Sequence, residues 1–287
     1  MIEYRHELIA MIGAALRAGA AIRAISDAGV VADTKSDGSP VCAADKAGET
    51  IILDALQPVW PDASFVGEEM VDAGNQIRLK RRMVLVDALD GTKEFIAGRD
   101  DYTVNIAIVE DGLPVAGVVH QPANGLTYAG EAGLGAFSLD ATGLDPEDMA
   151  TLVSRAKPLR PAKRAMDRNR WRAVMSRSHA DPETTAFMDG NGIGQTVAAG
   201  SSVKFCVVAR GDADLYPRLG PIRAWDIAAG HAVLVAAGGH MTHPDGTPYR
   251  YNFGMNGFSC SGFIAWGSTP ESVSLPDPDA AMASASS

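Results

Sequence analysis

The sequence predicts a protein of two domains that mixes helices and strands, an α/β (α+β mixed) fold. Its 287 residues are more than one small hydrophobic core usually organises, so two domains are expected. Apolar residues recur at helical spacing near the N-terminus, whereas residues 83–139 alternate with the period of two that is typical of strands. With 46% hydrophobic and 21% charged residues, the composition is that of a globular protein with a sizeable core.

The first predicted element is an amphipathic helix over residues 3–26, in which Leu8, Ile12 and Leu16 lie on one face. The turn-rich connector TKSDGSPVCAAD then leads to a second helix around residues 45–56. Asp45 stands at its start, where an aspartate commonly serves as the N-cap.

The strands come next along the chain. A buried strand, MVLVDAL, precedes an antiparallel meander of the runs TVNIAIV, LPVAGVVH, LTYAG and GAFSL, which are separated by turns rich in glycine. The first domain, residues 1–142, is therefore predicted to be a sheet with two helices packed against it.

The stretch 140–170 is rich in charge and carries Pro146, Pro158 and Pro161, which indicates a domain boundary or a surface excursion. The second domain, residues 143–268, is predicted to contain a strand in WRAVMSRSH and two helices with start and stop signals, SSVKFCVVARG and WDIAAGHAVLVAAGG. Small polar residues and prolines predict a disordered tail over residues 269–287.

Charge and cysteine content argue against several classes of function. The formal net charge of −10 disfavours binding to a nucleic acid polymer or to an anionic membrane surface. Three cysteines without a CxxC pair suggest reduced thiols, and no signal-peptide pattern is recognisable, so we expect a cytoplasmic protein. The N-terminal helix carries charges throughout and the later apolar run is short, so no integral membrane span is expected.

The stretch VLVDALDGTKEF, residues 84–95, places two carboxylates where a buried strand ends. Asp87 lies at the carboxyl end of the strand, and Gly91 permits a tight turn that brings Asp90 back towards it. Such a pair repels unless a cation or a proton lies between its members, and Mg²⁺ prefers carboxylate oxygens. A turn in which Asp90 holds backbone amides is equally compatible with these residues.

Other residues bear on that choice. In FVGEEM a second apolar run ends in acids, so Glu68 or Glu69 could complete a metal cluster or could simply be solvated. Thr92 begins a short helix, where it is either a cap or, with the free amides of the turn, a phosphate ligand. Asp226, at the start of a later helix, is either an N-cap or a metal ligand.

Three separated motifs carry a resemblance to a known family. GEE, VDALDGTKEF and WDIAAGHAVLVAAGG, in this order, resemble the inositol monophosphatase superfamily of magnesium-dependent, lithium-sensitive phosphatases. DGTKEF and GSSVKFCVVARGDADLYPRLGPIRAWD are similar to its CysQ-type branch, the 3'(2'),5'-bisphosphate nucleotidases. The resemblance covers residues 37–267 and implies a layered α-β-α-β-α sandwich of the inositol monophosphatase and fructose-1,6-bisphosphatase type.

The resemblance also implies roles for individual residues. Two or three Mg²⁺ ions would be held by Glu68, Asp87, the backbone carbonyl of Leu89, Asp90 and Asp226. The attacking water would be oriented by the catalytic residues Glu68, Thr92 and Asp45. Substrate contacts would come from Gly91, Thr92, Lys93, Ser201, Ser202, Lys204 and Asp226. Two positions depart from the family pattern, Ala88 in place of proline and Cys42 in place of threonine, and neither departure removes a catalytic group.

The implied function is magnesium-dependent hydrolysis of the 3'-phosphate of adenosine 3',5'-bisphosphate to AMP and phosphate. Two alternatives stay open: the same chemistry on inositol monophosphate or fructose 1,6-bisphosphate, and a non-catalytic protein that binds metal or nucleotide. Retention of Asp45, Glu68 and Thr92 argues against the second alternative, because binding alone needs no residues that activate water. The sequence does not give the oligomeric state; homodimers are common in this superfamily, so the resemblance makes a homodimer possible.

Overall fold

The computed structural model describes residues 6–30, 32–34, 40–176, 182–253 and 257–275, which form five stacked layers. In order, the layers are a pair of helices, a seven-stranded sheet, a second pair of helices, a five-stranded sheet and an outer helix. The predicted α-β-α-β-α sandwich is thereby confirmed. Parts of the predicted segments, residues 3–5, 35–39, 177–179 and 276–287, lie outside the described residues.

The N-terminal half contains the larger sheet. Its elements are α1 (His6–Ala28), β1 (Ala32–Thr34), β2 (Pro40–Cys42), α2 (Ala43–Leu56), β3 (Ser64–Gly67), α3 (Glu68–Asp72), β4 (Arg82–Asp90), α4 (Thr92–Ile96), β5 (Thr103–Glu110), β6 (Leu113–His120), β7 (Leu126–Glu131), β8 (Gly135–Asp140), α5 (Met149–Ser154) and β9 (Lys157–Pro158). The sheet has the order β3-β4-β5-β6-β7-β8-β9, and β1 and β2 form a separate pair. β3 is parallel to β4, and the pairs from β4 to β9 are antiparallel, as the predicted meander requires.

The C-terminal half contains the smaller sheet. Its elements are a 3₁₀ turn (Arg168–Arg170), β10 (Arg172–Ser176), α6 (Pro182–Gly190), β11 (Gln195–Ala199), α7 (Val203–Ala209), β12 (Leu215–Arg218), β13 (Ile222–Arg223), α8 (Ala224–Ala236), β14 (His240–Thr242), β15 (Ser259–Cys260) and β16 (Phe263–Trp266). The sheet has the order β11-β10-β12-β16-β14, and β13 pairs with β15.

Both faces of the larger sheet are buried, which explains the apolar run of β4. Val84 and Val86 belong to the core shared with α1 and α2, whereas Met83 and Leu85 belong to the core shared with α7 and α8. Successive side chains of a strand point to opposite faces, so a sheet covered on both sides is apolar at every position. β4 ends at the predicted carboxylates.

α8 lies between the two sheets because small residues allow close approach. A Cβ on Gly117 of β6 would lie 2.4 Å from the carbonyl oxygen of Ala229. A Cβ on Gly230 of α8 would lie 2.4 Å from the ring of Phe205 on α7. Side chains at these two glycines would push the helix away from the sheet or from its neighbour, so the glycines hold α8 in place. The N-terminus of α8 thereby reaches the end of β4.

α1 meets the length and composition of a membrane span, but 56% of its most apolar window is buried inside the protein. Leu8, Met11 and Ile22 are fully buried in the core between α1, α2 and the larger sheet. This burial is that of a core helix in a globular domain.

Two helices begin earlier than predicted. α2 begins at Ala43 with Cys42 as N-cap, so Asp45 is the third residue of the helix instead of its cap. Asp45 Oδ2 accepts a hydrogen bond from the backbone N–H of Cys42 at 2.8 Å, as the third residue of a capping box does. Asp226 is likewise the third residue of α8, which begins at Ala224.

The boundary and the tail also differ from the prediction. β9 pairs with β8, and Leu152 packs in the core of α1 and α2, so the N-terminal layers extend to residue 158, past residue 142. Residues 269–275, the described part of the predicted tail, are held against the C-terminal half. Arg164 donates to the carbonyl oxygen of Thr269 and pairs with Glu271 at 2.6 Å. The prediction of disorder is therefore wrong for residues 269–275.

Candidate active site

The end of β4 forms the floor of the site. Asp87 is 3% exposed, and the pairing of β4 with β5 shifts register between Asp87 and Asp90, a β-bulge that redirects the chain. Gly91 follows with a φ of +99°, and a Cβ there would lie 2.8 Å from the carbonyl oxygen of Asp101. Glycine is therefore required at this turn by its conformation and by the lack of space. α4 begins at the next residue, Thr92.

Thr92 and Asp45 meet at this turn. The Thr92 hydroxyl lies 3.0 Å from Asp45 Oδ1 and 3.1 Å from the carbonyl oxygen of Leu89. Asp45 is 5% exposed and reaches the site from α2. The backbone N–H of Leu89 donates to Asp87 Oδ1 at 3.0 Å. The structure thus brings together the predicted pair Asp45 and Thr92, with the Leu89 carbonyl beside them.

The first turn of α3, which begins at Glu68, is held by Glu49, a residue that the sequence analysis missed. Glu68 begins α3, and the Glu49 carboxylate accepts the backbone N–H groups of Glu69 and Met70 at 2.9 Å each. A Cβ on Gly67 would lie 2.3 Å from that carboxylate, so the contact needs glycine at this position. Burial raises the pKa of Glu49 to about 7, although the two backbone hydrogen bonds act to lower it.

Carboxylates from both halves of the protein converge. Glu68, Asp87 and Asp226 each offer an oxygen within 4.8 Å of the other two. Burial raises the pKa of Asp87 and of Asp226 well above the ordinary value, and the neighbouring carboxylates add to the rise. Buried carboxylates that repel one another need a cation to stay ionised. All these donors are hard oxygens, the ligand type that Mg²⁺ prefers, so the residues fit such an ion.

Asp90 is oriented differently from the other three acids. Its Oδ2 lies 3.2 Å from Ser202 Oγ and 3.4 Å from Asn105 Nδ2. Its charge nevertheless contributes to the raised pKa of Asp87 and of Asp226. Asp90 therefore shares the electrostatic field of the cluster, and its carboxylate also lies beside the polar side chains of Ser202 and Asn105.

Two cavities open at the cluster. The acidic cavity, of about 410 Å³, is lined by Glu68, Asp72, Asp87, Leu89, Asp90, Gly91, Thr92, Lys93, Glu94, Arg223, Trp225 and Asp226. The adjoining cavity, of about 240 Å³, shares Asp90, Gly91, Lys93, Glu94 and Asp226 with it and adds Ser176, Gly200, Ser201, Lys204, Phe205, Tyr216, Arg218, Ile222 and Ile227. The two cavities therefore lie side by side at the carboxylate cluster.

Comparison with known proteins identifies this arrangement. The sequence model of the inositol monophosphatase family matches residues 3–264. The chain belongs to this family. It is 40% identical over 239 residues to the 3'(2'),5'-bisphosphate nucleotidase CysQ of Escherichia coli strain K12. The aligned region covers 83% of this chain and 90% of that relative.

Solved structures of the inositol monophosphatase family show the same fold. CysQ from Bacteroides thetaiotaomicron has a TM-score of 0.73 and 32% identity, over 93% of this chain and 98% of that one. An IMPase from Thermotoga maritima has a TM-score of 0.70 and 23% identity, over 89% of this chain and 90% of that one. The five layers described above are therefore those of the family.

The substrate contacts expected for this family member divide into two groups. Gly91, Lys93, Ser201 and Lys204 line one or both cavities. Ser202 lines neither: it is 2% exposed, and its Oγ donates to the backbone carbonyl of α8 at Asp226, 2.6 Å away. Ser202 therefore joins two parts of the protein, and its substrate contact stays a prediction.

Arg218, a further residue of the adjoining cavity, was not predicted, although it lies in a stretch that carries the family resemblance. Its Nε is buried and has no hydrogen-bond partner within the part of the chain that the structure describes. Lys204 faces the same cavity, with Nζ 5.6 Å from the ring centroid of Tyr216. Burial lowers the pKa of Lys204, and the charge of Arg218 adds to this. Lys204 and Arg218 are two cations, and the second of them carries an unpaired donor, Nε. This pair suits an anionic ligand.

The two departures from the family pattern leave the predicted metal ligands in place. Burial and the neighbouring Asp45 raise the pKa of the Cys42 thiol to about 11, so the thiol stays protonated at neutral pH. Ala88 is 4% exposed, and its Cβ would lie 3.0 Å from a Cβ on Gly48. α2 therefore packs closely against β4 at this point.

Proposed function

We propose that this protein hydrolyses the 3'-phosphate of adenosine 3',5'-bisphosphate and releases AMP and inorganic phosphate. The observation that carries the proposal is that the acidic cavity and the adjoining cavity share lining residues. Lys204 and Arg218 line the adjoining cavity only. A substrate with two phosphates needs both kinds of surface, one for the reacting phosphate and one for the second anion. The similarity to the CysQ nucleotidase of Escherichia coli supports the same choice of substrate.

Magnesium is the cofactor in this proposal, with two or three ions in the acidic cavity. The groups that would hold them are Glu68, Asp87, the Leu89 carbonyl, Asp90 and Asp226. When bound, Mg²⁺ supplies positive charge that stabilises the transferring phosphoryl group and lowers the pKa of water. The same charge lets an acidic protein bind an anionic substrate.

The Asp45 and Thr92 pair is placed to accept a proton. The Thr92 hydroxyl donates to Asp45 Oδ1 at 3.0 Å, which leaves lone pairs of its oxygen free to accept a hydrogen bond from water. The attacking water gives one proton to this pair as its oxygen bonds to phosphorus. The bond between phosphorus and the 3'-oxygen breaks, and that oxygen takes a proton from a solvent water molecule to become the 3'-hydroxyl of AMP, while the proton held by the pair returns to solvent. Glu68, which lines the same cavity, would also orient the water.

The adjoining cavity supplies recognition. Arg218 and Lys204 would contact the 5'-phosphate, and a planar guanidinium can bind two phosphate oxygens at once. Gly91 and Lys93 lie on the shared wall, where they would contact the phosphate that reacts. A nucleotide that carries a sulfate on its 5'-phosphate presents a similar anion and is a second candidate substrate.

The test is phosphate release from adenosine 3',5'-bisphosphate, inositol 1-phosphate and fructose 1,6-bisphosphate. Each is assayed with Mg²⁺, with Mg²⁺ and Li⁺, and with a chelator. We expect strong preference for the nucleotide, abolished by the chelator. Preference for inositol or sugar phosphate would overturn the substrate and keep the metal chemistry. Release from none of them would favour a protein that binds metal or nucleotide without catalysis.

The proposal also covers the compartment and the assembly of the protein. Cys42, Cys206 and Cys260 are free thiols, which suits the reducing cytoplasm that we propose as the compartment. A homodimer remains a prediction, and the mass of the protein measured in solution by light scattering tests it.

A further inference from the structure

A buried polar network joins the two halves of the site. Asn105 lies on β5 directly opposite Asp87 on β4, and its side chain is fully buried. It belongs to neither the predicted metal ligands nor the predicted substrate contacts. A buried amide in the middle of an apolar strand is costly unless each of its polar atoms has a partner, so its contacts need an explanation.

The orientation of the Asn105 amide follows from its neighbours. The hydroxyl of Thr103, also fully buried, lies 3.0 Å from Asn105 Oδ1 and donates to it. Asn105 Nδ2 then faces Ser202 Oγ at 2.9 Å and Asp90 Oδ2 at 3.4 Å, one contact for each of its protons. The reverse orientation would set the amide oxygen against the Asp90 carboxylate, so only this one satisfies the network.

Ser202 carries the network across to the C-terminal half. Its single hydroxyl proton goes to the backbone carbonyl of Asp226, the nearest acceptor at 2.6 Å, and its oxygen accepts from Asn105. The carbonyl of Asp226 belongs to the first turn of α8, the turn that presents the Asp226 carboxylate. Asn105 therefore contacts one predicted metal ligand directly and reaches a second through one hydroxyl.

We propose that Asn105 is a positioning residue that sets the relative placement of Asp90 and Asp226 and thereby the affinity of the acidic cavity for Mg²⁺. The proposal rests on the proposed magnesium site. Groups that hydrogen-bond to metal ligands fix the orientation of those ligands, and their loss typically lowers metal affinity by about 10–100-fold. Without the amide, Asp90 Oδ2 loses one donor and Ser202 loses the contact that aims its hydroxyl.

The experiment compares Asn105→Ala and Thr103→Val with the wild type, and uses Asn191→Ala as the matched control. Asn191 is also a buried asparagine, but its side chain bonds to Phe187 and Ser274 in the outer layer. Binding of Mn²⁺ in place of Mg²⁺ is measured by electron paramagnetic resonance without substrate, and thermal unfolding is recorded with and without Mg²⁺. We expect Asn105→Ala to bind Mn²⁺ about 10–100-fold more weakly and Asn191→Ala to bind it as the wild type does.

Thr103→Val keeps Asn105 in place and removes only the hydroxyl that orients it. We expect this variant to weaken Mn²⁺ binding in the same direction by a smaller factor, which keeps the proposal testable if Asn105→Ala does not fold. The positioning role is overturned if Asn105→Ala folds and binds Mn²⁺ with unchanged affinity. If Asn105→Ala does not fold, unchanged Mn²⁺ affinity in Thr103→Val overturns it instead. A wild type that binds no Mn²⁺ would instead overturn the proposed metal site, and this role with it.

Discussion

The acidic cavity and the adjoining cavity share one wall but differ in the charges on their remaining walls. The acidic cavity adds the acids Glu68, Asp72 and Asp87 with one cation, Arg223, whereas the adjoining cavity adds the cations Lys204 and Arg218. The acidic cavity is lined mainly by α3, the end of β4, α4 and the start of α8, and the adjoining cavity adds residues of α7 and β12. The proposed function assigns cation binding to the acidic cavity and anion binding to the adjoining cavity, so changes in the first should alter metal dependence and turnover, and changes in the second should alter substrate affinity.

The largest effect is expected from Asp87→Asn in the acidic cavity. Loss of this buried charge should lower kcat/KM by at least about 10³-fold, roughly 4 kcal/mol of transition-state stabilisation. In the metal-free protein the same change relieves repulsion from Glu68 and Asp226, so the Tm should rise. Kinetics and thermal unfolding with and without Mg²⁺ measure both effects. A variant that keeps the activity and the Mg²⁺-dependent rise in Tm of the wild type would contradict the assignment of the acidic cavity.

The next effect concerns pH and Glu49, which lies behind the acidic cavity. In the folded protein its pKa is about 7, so between about pH 4.5 and pH 7 the folded state holds a proton that the unfolded chain has lost. The free energy of unfolding of the metal-free protein should therefore fall as the pH rises through this range. Glu49→Gln cannot ionise at this position, so it should lose only the part of the decline that Glu49 causes, keep the part due to Asp87 and Asp226, and be more stable than the wild type by up to about 3 kcal/mol near pH 8.

Urea unfolding with a chelator present, at about pH 5 and about pH 8, measures this difference. The matched control is Glu147→Gln, at a carboxylate whose side chain is 76% exposed. If wild type and Glu49→Gln lose stability in parallel as the pH rises, burial of Glu49 does not govern the pH dependence.

A smaller effect is expected in the adjoining cavity. Arg218→Ala should raise the KM for adenosine 3',5'-bisphosphate about 30-fold, the equivalent of roughly 2 kcal/mol for a lost charge-assisted contact, with kcat nearly unchanged. Adenosine 3'-monophosphate lacks the 5'-phosphate and serves as internal control, because its KM should not change. An equal rise in KM for both nucleotides would show that Arg218 does not act on the 5'-phosphate, and would contradict separate binding roles for the two cavities.

The smallest effect is expected outside both cavities. The Arg164 guanidinium lies 4.4 Å from the ring centroid of Trp171 and 5.3 Å from that of Trp266. Arg164→Ala should reduce the free energy of unfolding by about 1 kcal/mol and leave Mg²⁺ dependence and KM unchanged. Lys163→Ala, an exposed neighbour, is the control for stability. Altered kinetics in Arg164→Ala would show that the outer layer is coupled to the cavities.

The parts of the site that the sequence could predict are local. Asp87, Asp90 and Thr92 lie within six residues at the end of one strand, so strand periodicity and a glycine turn place them near each other. The local sequence alone does not identify Glu68 and Asp226 as metal ligands, because an acid at the start of a helix also has an ordinary structural explanation. The family resemblance was needed to bring them into the same cluster.

The residues that sequence reasoning missed act through contacts distant in the chain. Asn105 sits inside the apolar run TVNIAIV, and its partner Ser202 is 97 residues away. In the sequence Glu49 resembles a solvated helix residue, because its contact with the backbone of α3 exists only in the folded protein. In fold terms, β9 and α5 were missed because prolines and charges around them indicated a boundary, although β9 completes the edge of the larger sheet.

The position of α8 has a consequence for how the chain could be divided. This helix packs on the larger sheet through Gly117 and on α7 through Gly230, so it belongs to a core built from both halves. A backbone cut in the connector at residues 160–167 would leave each fragment with an apolar face that only the other fragment covers. Neither piece would fold alone, but mixing them should rebuild a two-chain protein by complementation. Its activity would then depend on the concentration of both fragments, as in an obligate heterodimer.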